Sequence, residues 1–321
     1  MVSLNELIQR YRIEVSQTLS QRSVQISGQI LAQTSGQMPS QASSATQYYQ
    51  CQQNVNLYDS PQLQSLATQA ATDRQLRILP LPLDADGQLQ SDVSDYSAIP
   101  VCLYEDDYPG WLALDDVAAL EPIDGPHTVP IWTAAEIRDR IPEIITYMTT
   151  AMAQPNEYLW GGVIGPNYDC SGLMQAAFRS QGIWLPRDAY QQEAFIQSIE
   201  LDALEVGDLI FFGPKERANH VALYLGNALQ DGTVEHRYIH SSGKSIGRNG
   251  IGIDILPLAF FSDLPSPPSS SLDSWDNTPE KADAISQAYA ELVHGVGRVV
   301  TSYHPQGTPI KPLDAKVIPM T

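Results

Sequence analysis

Residues 165–182, GPNYDCSGLMQAAFRSQG, constrain the fold more than any other stretch of the chain. A Gly/Pro/Asn loop runs into Asp169, a residue suited to a helix start because its side-chain oxygen accepts from backbone N–H groups that have no helical partner. Leu173, Ala176 and Ala177 then recur at helical spacing, and Gly182 marks the stop. Cys170 therefore falls in the first turn of a helix. The period then changes. Residues 200–213, ELDALEVGDLIFFG, read as a tight turn over 202–207 followed by a buried strand, DLIFF. In NHVALYLGN (219–227), Val221, Leu223 and Leu225 alternate with Ala222 and Tyr224, which marks a second strand. RYIHSSG (237–243) reads as the next strand of a meander. A helix followed by consecutive strands buries its apolar stripe by packing on an antiparallel sheet, an α+β arrangement.

The same block carries the chemistry. The first turn of a helix holds unpaired backbone N–H groups and the positive end of the helix dipole. That setting favours thiolate over thiol at Cys170, and the thiolate is the nucleophile. A buried, inert cysteine is the competing reading of the same residue. His220 opens the second strand beside a loop, where its ring can be aimed at a helix N-terminus on another element; a partly exposed strand histidine is the alternative. A base imidazole needs a third group to fix its tautomer. His240 is preferred over His236 for that role, because Tyr238 and His240 share one face of their strand while Ile239 lies on the other.

Elsewhere the chain divides by texture. Apolar positions spaced through residues 1–20 suggest a short amphipathic helix, and 21–46, rich in Gln, Ser and Ala, reads as a tail. From 47 to 123, short apolar runs such as LRILPLPL and AIPVCLYE alternate with Asp, Gly, Pro and Ser clusters, the pattern of a small β-barrel. Residues 124–134 read as a linker. Residues 135–153 read as one helix despite Pro142. PSPPSSSLDSWDNTPE (265–280) reads as a surface insertion, 280–293 as a last helix stopped by Gly295, and GRVVTSY (297–303) as a final strand.

Taken in order, YLWGG (158–162), DCSGL (169–173), LPRDAYQQ (185–192), LEVGDLIFF (204–212), HVALYL (220–225) and YIHSSG (238–243) resemble the NlpC-type family of papain-like cysteine peptidases. CQQNVNLYDSPQLQSLATQA and EDDYPGWLAL resemble the opening and closing strands of a bacterial SH3-like domain. The resemblance implies four units: an extension at 1–46, an SH3-like barrel at 47–123, a linker at 124–134, and a papain-like catalytic domain at 135–321. It implies Cys170 as nucleophile, His220 as base and His240 as the orienting group. Tyr158, with the Cys170 backbone N–H, would stabilise the oxyanion. The two-unit arrangement is similar to the subgroup that cleaves the γ-D-glutamyl–diamino acid bond of murein peptides with a free N-terminal L-Ala. For that subgroup the resemblance places Asp188 on the substrate's free amine, although a helix N-cap is its other reading. Trp160 and Ser171 would line the same pocket, and Tyr108 would close it. The chain departs from the family pattern in carrying extra residues between HVALYLGN and YIHSSG, and in the 265–280 insertion.

Composition narrows the partners. A net charge of −19 argues against nucleic acid, whose phosphates need Lys and Arg, and against an anionic membrane. It fits a substrate bearing an amine, although a high net charge also simply keeps a protein soluble. Three cysteines (Cys51, Cys102, Cys170) do not make a disulfide framework; Cys51 and Cys102 are read as buried thiols in preference to a pair. With no apolar leader at the N-terminus, the expectation is a reducing, cytoplasmic setting and a monomer. No metal or organic cofactor is required, since the CxxC-like spacing of structural zinc sites is missing. Competing functions are a Cys–His amidase or acyltransferase of the same fold, and a wall-binding module without catalysis.

Overall fold

The structure is a computed structural model that describes residues 46–80, 97–230, 233–246, 248–256, 289 and 292–313. The helix expected over 1–20, nearly all of the 21–46 tail, the 265–280 insertion and most of the helix expected over 280–293 lie outside those residues.

The first sheet contains β1 (Tyr48–Cys51), β2 (Val55–Tyr58), β3 (Leu66–Ala70), β4 (Gln75–Ile78), β5 (Ala98–Leu103), β6 (Pro109–Ala113) and β7 (Leu120–Ile123). Its order is β3-β2-β6-β5-β4-β1-β7, and every pairing is antiparallel. Among the described residues β3 does not pair with β7, so the expected closed barrel is instead an open seven-stranded sheet. The β3 edge is satisfied differently. The Gln69 side-chain oxygen accepts from the Val163 and Ile164 N–H groups of the second unit. An edge strand needs cover, and here another part of the chain supplies it. Leu57, Leu76, Leu103, Trp111 and Leu112 form the core of this sheet. All six residues of β5 are buried, which explains why AIPVCL reads as continuous rather than alternating.

A short linker leads to α1 (Ala134–Arg138), capped by Thr133 and Glu136 in a reciprocal box, and to α2 (Ile141–Met152). The single helix expected over 135–153 is thus two. Pro142 sits in the first turn of α2, where a missing N–H costs nothing, so the proline marks a start rather than an interior position. The hairpin β8 (Val163–Ile164) and β9 (Asn167–Tyr168) precedes α3 (Cys170–Arg179), and α4 (Ala189–Phe195) follows it.

The second sheet contains β10 (Gln197–Ser198), β11 (Leu209–Phe212), β12 (His220–Gln230), β13 (Thr233–Ser242), β14 (Gly250–Leu256) and β15 (Val293–Arg298), in the order β10-β15-β11-β12-β13-β14. The long β12–β13 hairpin accounts for the extra residues noted in the sequence. The final strand lies earlier than the expected 297–303, and Gly295 is inside it rather than at a helix stop. Gly297 explains the local glycine content, because a Cβ there would run into Ile196 and the Gln197 carbonyl of β10.

The alternation of β12 divides the interior. Val221, Leu223 and Leu225 pack with Leu173, Ala177 and Phe178 of α3. Ala222 and Tyr224 join Ile210, Phe212 and Tyr238 on the other side. The two sheets dock through polar contacts around the β5–β6 turn, where Asp106 accepts from Gln175 of α3 at 2.8 Å and from Arg74 at 2.8 Å. Asp107, in a left-handed conformation with φ 51°, accepts from Tyr303 at 3.2 Å. No helix among the described residues is long and apolar enough to cross a membrane.

Candidate active site

Cys170 is the first residue of α3, and Asp169 caps it, accepting from Gly172 N–H at 2.6 Å. Asp169 is anchored in turn by Arg187, which donates to its two oxygens at 3.0 and 2.7 Å. The helix mouth is therefore held by a buried bidentate ion pair, geometry that a guanidinium fork supplies. Gly172 is required there: a Cβ would collide with the Gly162 carbonyl.

Cys170 lies in a cleft of about 440 Å³ between the two sheets. Tyr158, Trp160, Ser171, Asp188 and Tyr108 line the same cleft, so six of the eight residues singled out in the sequence converge. Ser171 is engaged internally, its hydroxyl accepting from Arg187 at 3.1 Å. Asp188 is the N-cap residue of α4, and its carboxylate also accepts from the Tyr108 hydroxyl at 3.0 Å. Lys311, which the sequence did not single out, reaches the same corner. Its ammonium donates to Tyr108 Oη at 2.6 Å, stands 3.6 Å from Asp188 Oδ2, and lies 4.2 Å from the Tyr108 ring centroid.

His220 and His240 lie behind the cleft wall rather than on it. His220 Nε2 is 2.6 Å from His240 Nδ1, and His240 Nε2 is 2.5 Å from Asp254 Oδ2. Tyr289 stacks on His220 with ring centroids 4.4 Å apart. The backbone N–H groups of Val221, next to His220, and of Ser171 are near enough to the Cys170 sulfur to favour its thiolate. Among the described residues no hydrogen bond joins the Cys170 and His220 side chains themselves. Such bonds often tighten only when substrate binds. His236 is used elsewhere, within 2.7 Å of the Tyr224 hydroxyl.

The electrostatics correct one expectation. Burial, reinforced by the Asp169 carboxylate, pushes the Cys170 thiol up to about 12, against the two backbone N–H groups that favour thiolate. Desolvation thus outweighs the helix mouth, and the resting sulfur is a thiol. Burial, followed by its neighbour His240, holds His220 well below the ordinary imidazole value. Burial also lowers His240, opposed by its bond to Asp254. Burial raises the Tyr158 hydroxyl, and proximity to Cys170 adds to it, so it remains a donor. The other two thiols, Cys51 and Cys102, are free, buried and raised to about 12 by burial, which makes them inert.

Asp254 and its partner Arg248 are the residues that sequence reasoning missed. The signal was present: GIGIDIL places one charged residue in an otherwise apolar strand, and a carboxylate is almost never fully buried unless paired. Among the described residues, no group of three or more His, Cys, Asp or Glu side chains is placed to hold a metal ion.

The structure thus brings together a cysteine at a helix mouth, a histidine pair on the adjoining sheet and a cleft ended by a carboxylate. Residues 155–251 match the model of the NlpC/P60 family. It is 39% identical over 94 residues to a gamma-D-glutamyl-L-lysine dipeptidyl-peptidase of Bacillus subtilis, covering 28% of this chain and 29% of that one. It is 35% identical over 89 residues to the murein DD-endopeptidase MepS/murein LD-carboxypeptidase of Escherichia coli, covering 27% of this chain and 43% of that one. The chain therefore spans less than half the length of these curated relatives. A crystal structure of an NlpC/P60 family protein from Bacillus cereus aligns at 21% identity with a TM-score of 0.33, over 79% of this chain and 64% of that one.

Proposed function

We propose that this protein is a cysteine peptidase that hydrolyses the γ-D-glutamyl–diamino acid bond of murein peptides bearing a free N-terminal L-Ala. One observation carries the substrate class: the closed corner of the Cys170 cleft, made by Asp188 and Tyr108, already accommodates an ammonium group, that of Lys311. A carboxylate and a phenol ring at a pocket end favour a charged amine through ion pairing and cation–π attraction. Trp160, 60% exposed at the cleft mouth, offers a flat apolar surface to the rest of the peptide.

In this reading Cys170 attacks the γ-D-glutamyl carbonyl as His220 takes the thiol proton. The Tyr158 hydroxyl and the Cys170 N–H receive the oxyanion, donors worth about 3–4 kcal/mol each in acyl transfer. His220, now imidazolium, protonates the leaving amine of the diamino acid. Water, deprotonated by His220, then hydrolyses the thioester. The open seven-stranded sheet serves as the SH3-like unit of residues 47–123 that walls the cleft, and residues from 135 onward form the catalytic unit. The protein works as a monomer in the cytoplasm, a setting in keeping with the unpaired Cys51 and Cys102.

Because His220 titrates below the ordinary imidazole range, it remains an unprotonated base at mildly acidic pH. Activity rises as pH climbs through that depressed value. The acid limb of kcat/KM is expected below pH ~6.5, the unperturbed histidine value; a limb at or above it would contradict the buried, neutral imidazole.

The substrate assignment is tested with L-Ala-γ-D-Glu-diaminopimelate and its N-acetyl derivative, digested side by side and read by mass spectrometry. Acetylation removes the charge that Asp188 receives, and cleavage of the blocked peptide is expected to fall by about 10- to 100-fold, as a lost charge-assisted bond implies. Equal cleavage of both peptides would point to intact wall instead.

A further inference from the structure

His220, His240 and Asp254 occupy one face of three neighbouring strands, and each is nearly or wholly buried. Asp254 makes two contacts of 2.5 Å: Oδ2 to His240 Nε2, and Oδ1 to Arg248 Nη2. Gly252, opposite His240 in the β13–β14 register, makes room for this arrangement, because a Cβ there would run into the Arg248 guanidinium.

The donor inventory of these groups leaves little choice. A carboxylate only accepts, so His240 must carry its proton on Nε2. His240 Nδ1 is then a bare lone pair, and the 2.6 Å contact requires His220 to donate from Nε2. The remaining lone pair of His220 is at Nδ1, the nitrogen that His240 does not hold. We propose that Asp254, locked by Arg248, is a positioning residue that dictates the tautomers of both histidines and so keeps His220 Nδ1 free to receive the Cys170 proton. Two hydrogen bonds transmit the choice, and no proton leaves His240 for Asp254. In the step itself one proton moves from Cys170 Sγ to His220 Nδ1, and the imidazolium so formed still donates from Nε2. The catalytic use of this arrangement rests on the peptidase reading above; the tautomer assignment does not.

The Arg248 contact makes the test sharp. A guanidinium only donates, so in Asp254→Asn the amide must turn its oxygen to Arg248 and its NH₂ to His240. His240 Nε2 then has to accept, Nδ1 has to donate to His220 Nε2, and the proton of His220 moves to Nδ1, where it blocks the base. The near-isosteric Asn is therefore more harmful than Asp254→Ala, which frees both tautomers. The double variant Arg248→Met, Asp254→Asn lets the amide turn back.

The first measurement is Cys170 alkylation by iodoacetamide at neutral pH, read by mass spectrometry, which requires no substrate. Its rate is expected to fall at least about 100-fold in Asp254→Asn, the scale on which a wrong histidine tautomer suppresses a nucleophile. Asp254→Ala should fall less, and the double variant should recover at least to the Ala level. With peptide, kcat should follow the same order while KM stays within about twofold, as for a group acting only on the chemical step. A merely structural role predicts the opposite order, Asn milder than Ala, and that result overturns the proposal. Should Asp254→Ala fail to fold, ¹⁵N shifts of the imidazoles in Asp254→Asn decide alone: protonated Nδ1 on both rings supports the proposal, and unchanged Nε2 protonation overturns it. If the wild type cleaves no murein peptide while the alkylation order holds, the peptidase reading falls and the tautomer assignment stands.

Discussion

Replacing Cys170 by alanine is expected to reduce cleavage of L-Ala-γ-D-Glu-diaminopimelate by about 10⁴-fold or more, the scale on which removal of a covalent nucleophile acts. The fold should survive. The side chain is small, and the helix start is fixed by Asp169 through its bonds to Gly161 N–H, Gly172 N–H and Arg187, none of which uses the sulfur. Steady-state kinetics and a thermal melt check the two halves together. Turnover retained with an unchanged melt would exclude Cys170 as nucleophile. Cys51 and Cys102 offer no substitute, because each is buried in the first sheet away from the cleft and held as a thiol.

Arg187→Met is expected to have the largest effect on stability. The guanidinium is 1% exposed and donates to Thr68 Oγ1 at 2.8 Å as well as to Asp169 and Ser171. It therefore joins β3 of the first sheet to the mouth of α3. Methionine fills similar volume but leaves the Asp169 carboxylate buried without its counter-charge. Breaking a buried pair in this way costs about 3–5 kcal/mol. A loss of that size lowers the melting temperature by about 10 °C in a chain of this length. Arg187→Lys should recover only part of it, since a single ammonium cannot reproduce the fork. A melt within a degree or two of wild type would show that the pair contributes no net stability.

Much of the site was legible because its signals are local. Asp169 as a cap, Cys170 in the first helical turn, and the alternation that places His220 and Val221 on opposite faces all follow from residues a few positions apart. The period of two puts His236, Tyr238 and His240 on one face and does not separate the two histidines; the structure does, pairing His240 with His220 while His236 meets Tyr224. Where the sequence misled, a distant neighbour decided. Pro142 sits inside an apolar helical pattern, yet the chain uses it to start α2 rather than kink a longer helix. Gly295 has the position of a helix stop but lies in β15, because β11 offers a strand to pair with. The strands of residues 47–123 suggested closure, but Gln69 bonds the β3 edge to Val163 of β8 and the described pairings leave the sheet open.

The sequence by itself determined that Cys170 opens a helix capped by Asp169 and that His220 opens a strand, since capping, periodicity and turn chemistry act over a few residues. Only the tertiary structure decided the charge states and the company each group keeps. Burial makes Cys170 a thiol and His220 a weak base, Asp254 lies 34 positions beyond the histidine whose proton it fixes through His240, and Lys311 arrives at Asp188 from the far end of the described chain. Desolvation and long-range pairing depend on what the folded chain brings alongside each group, and no short window of sequence contains that information.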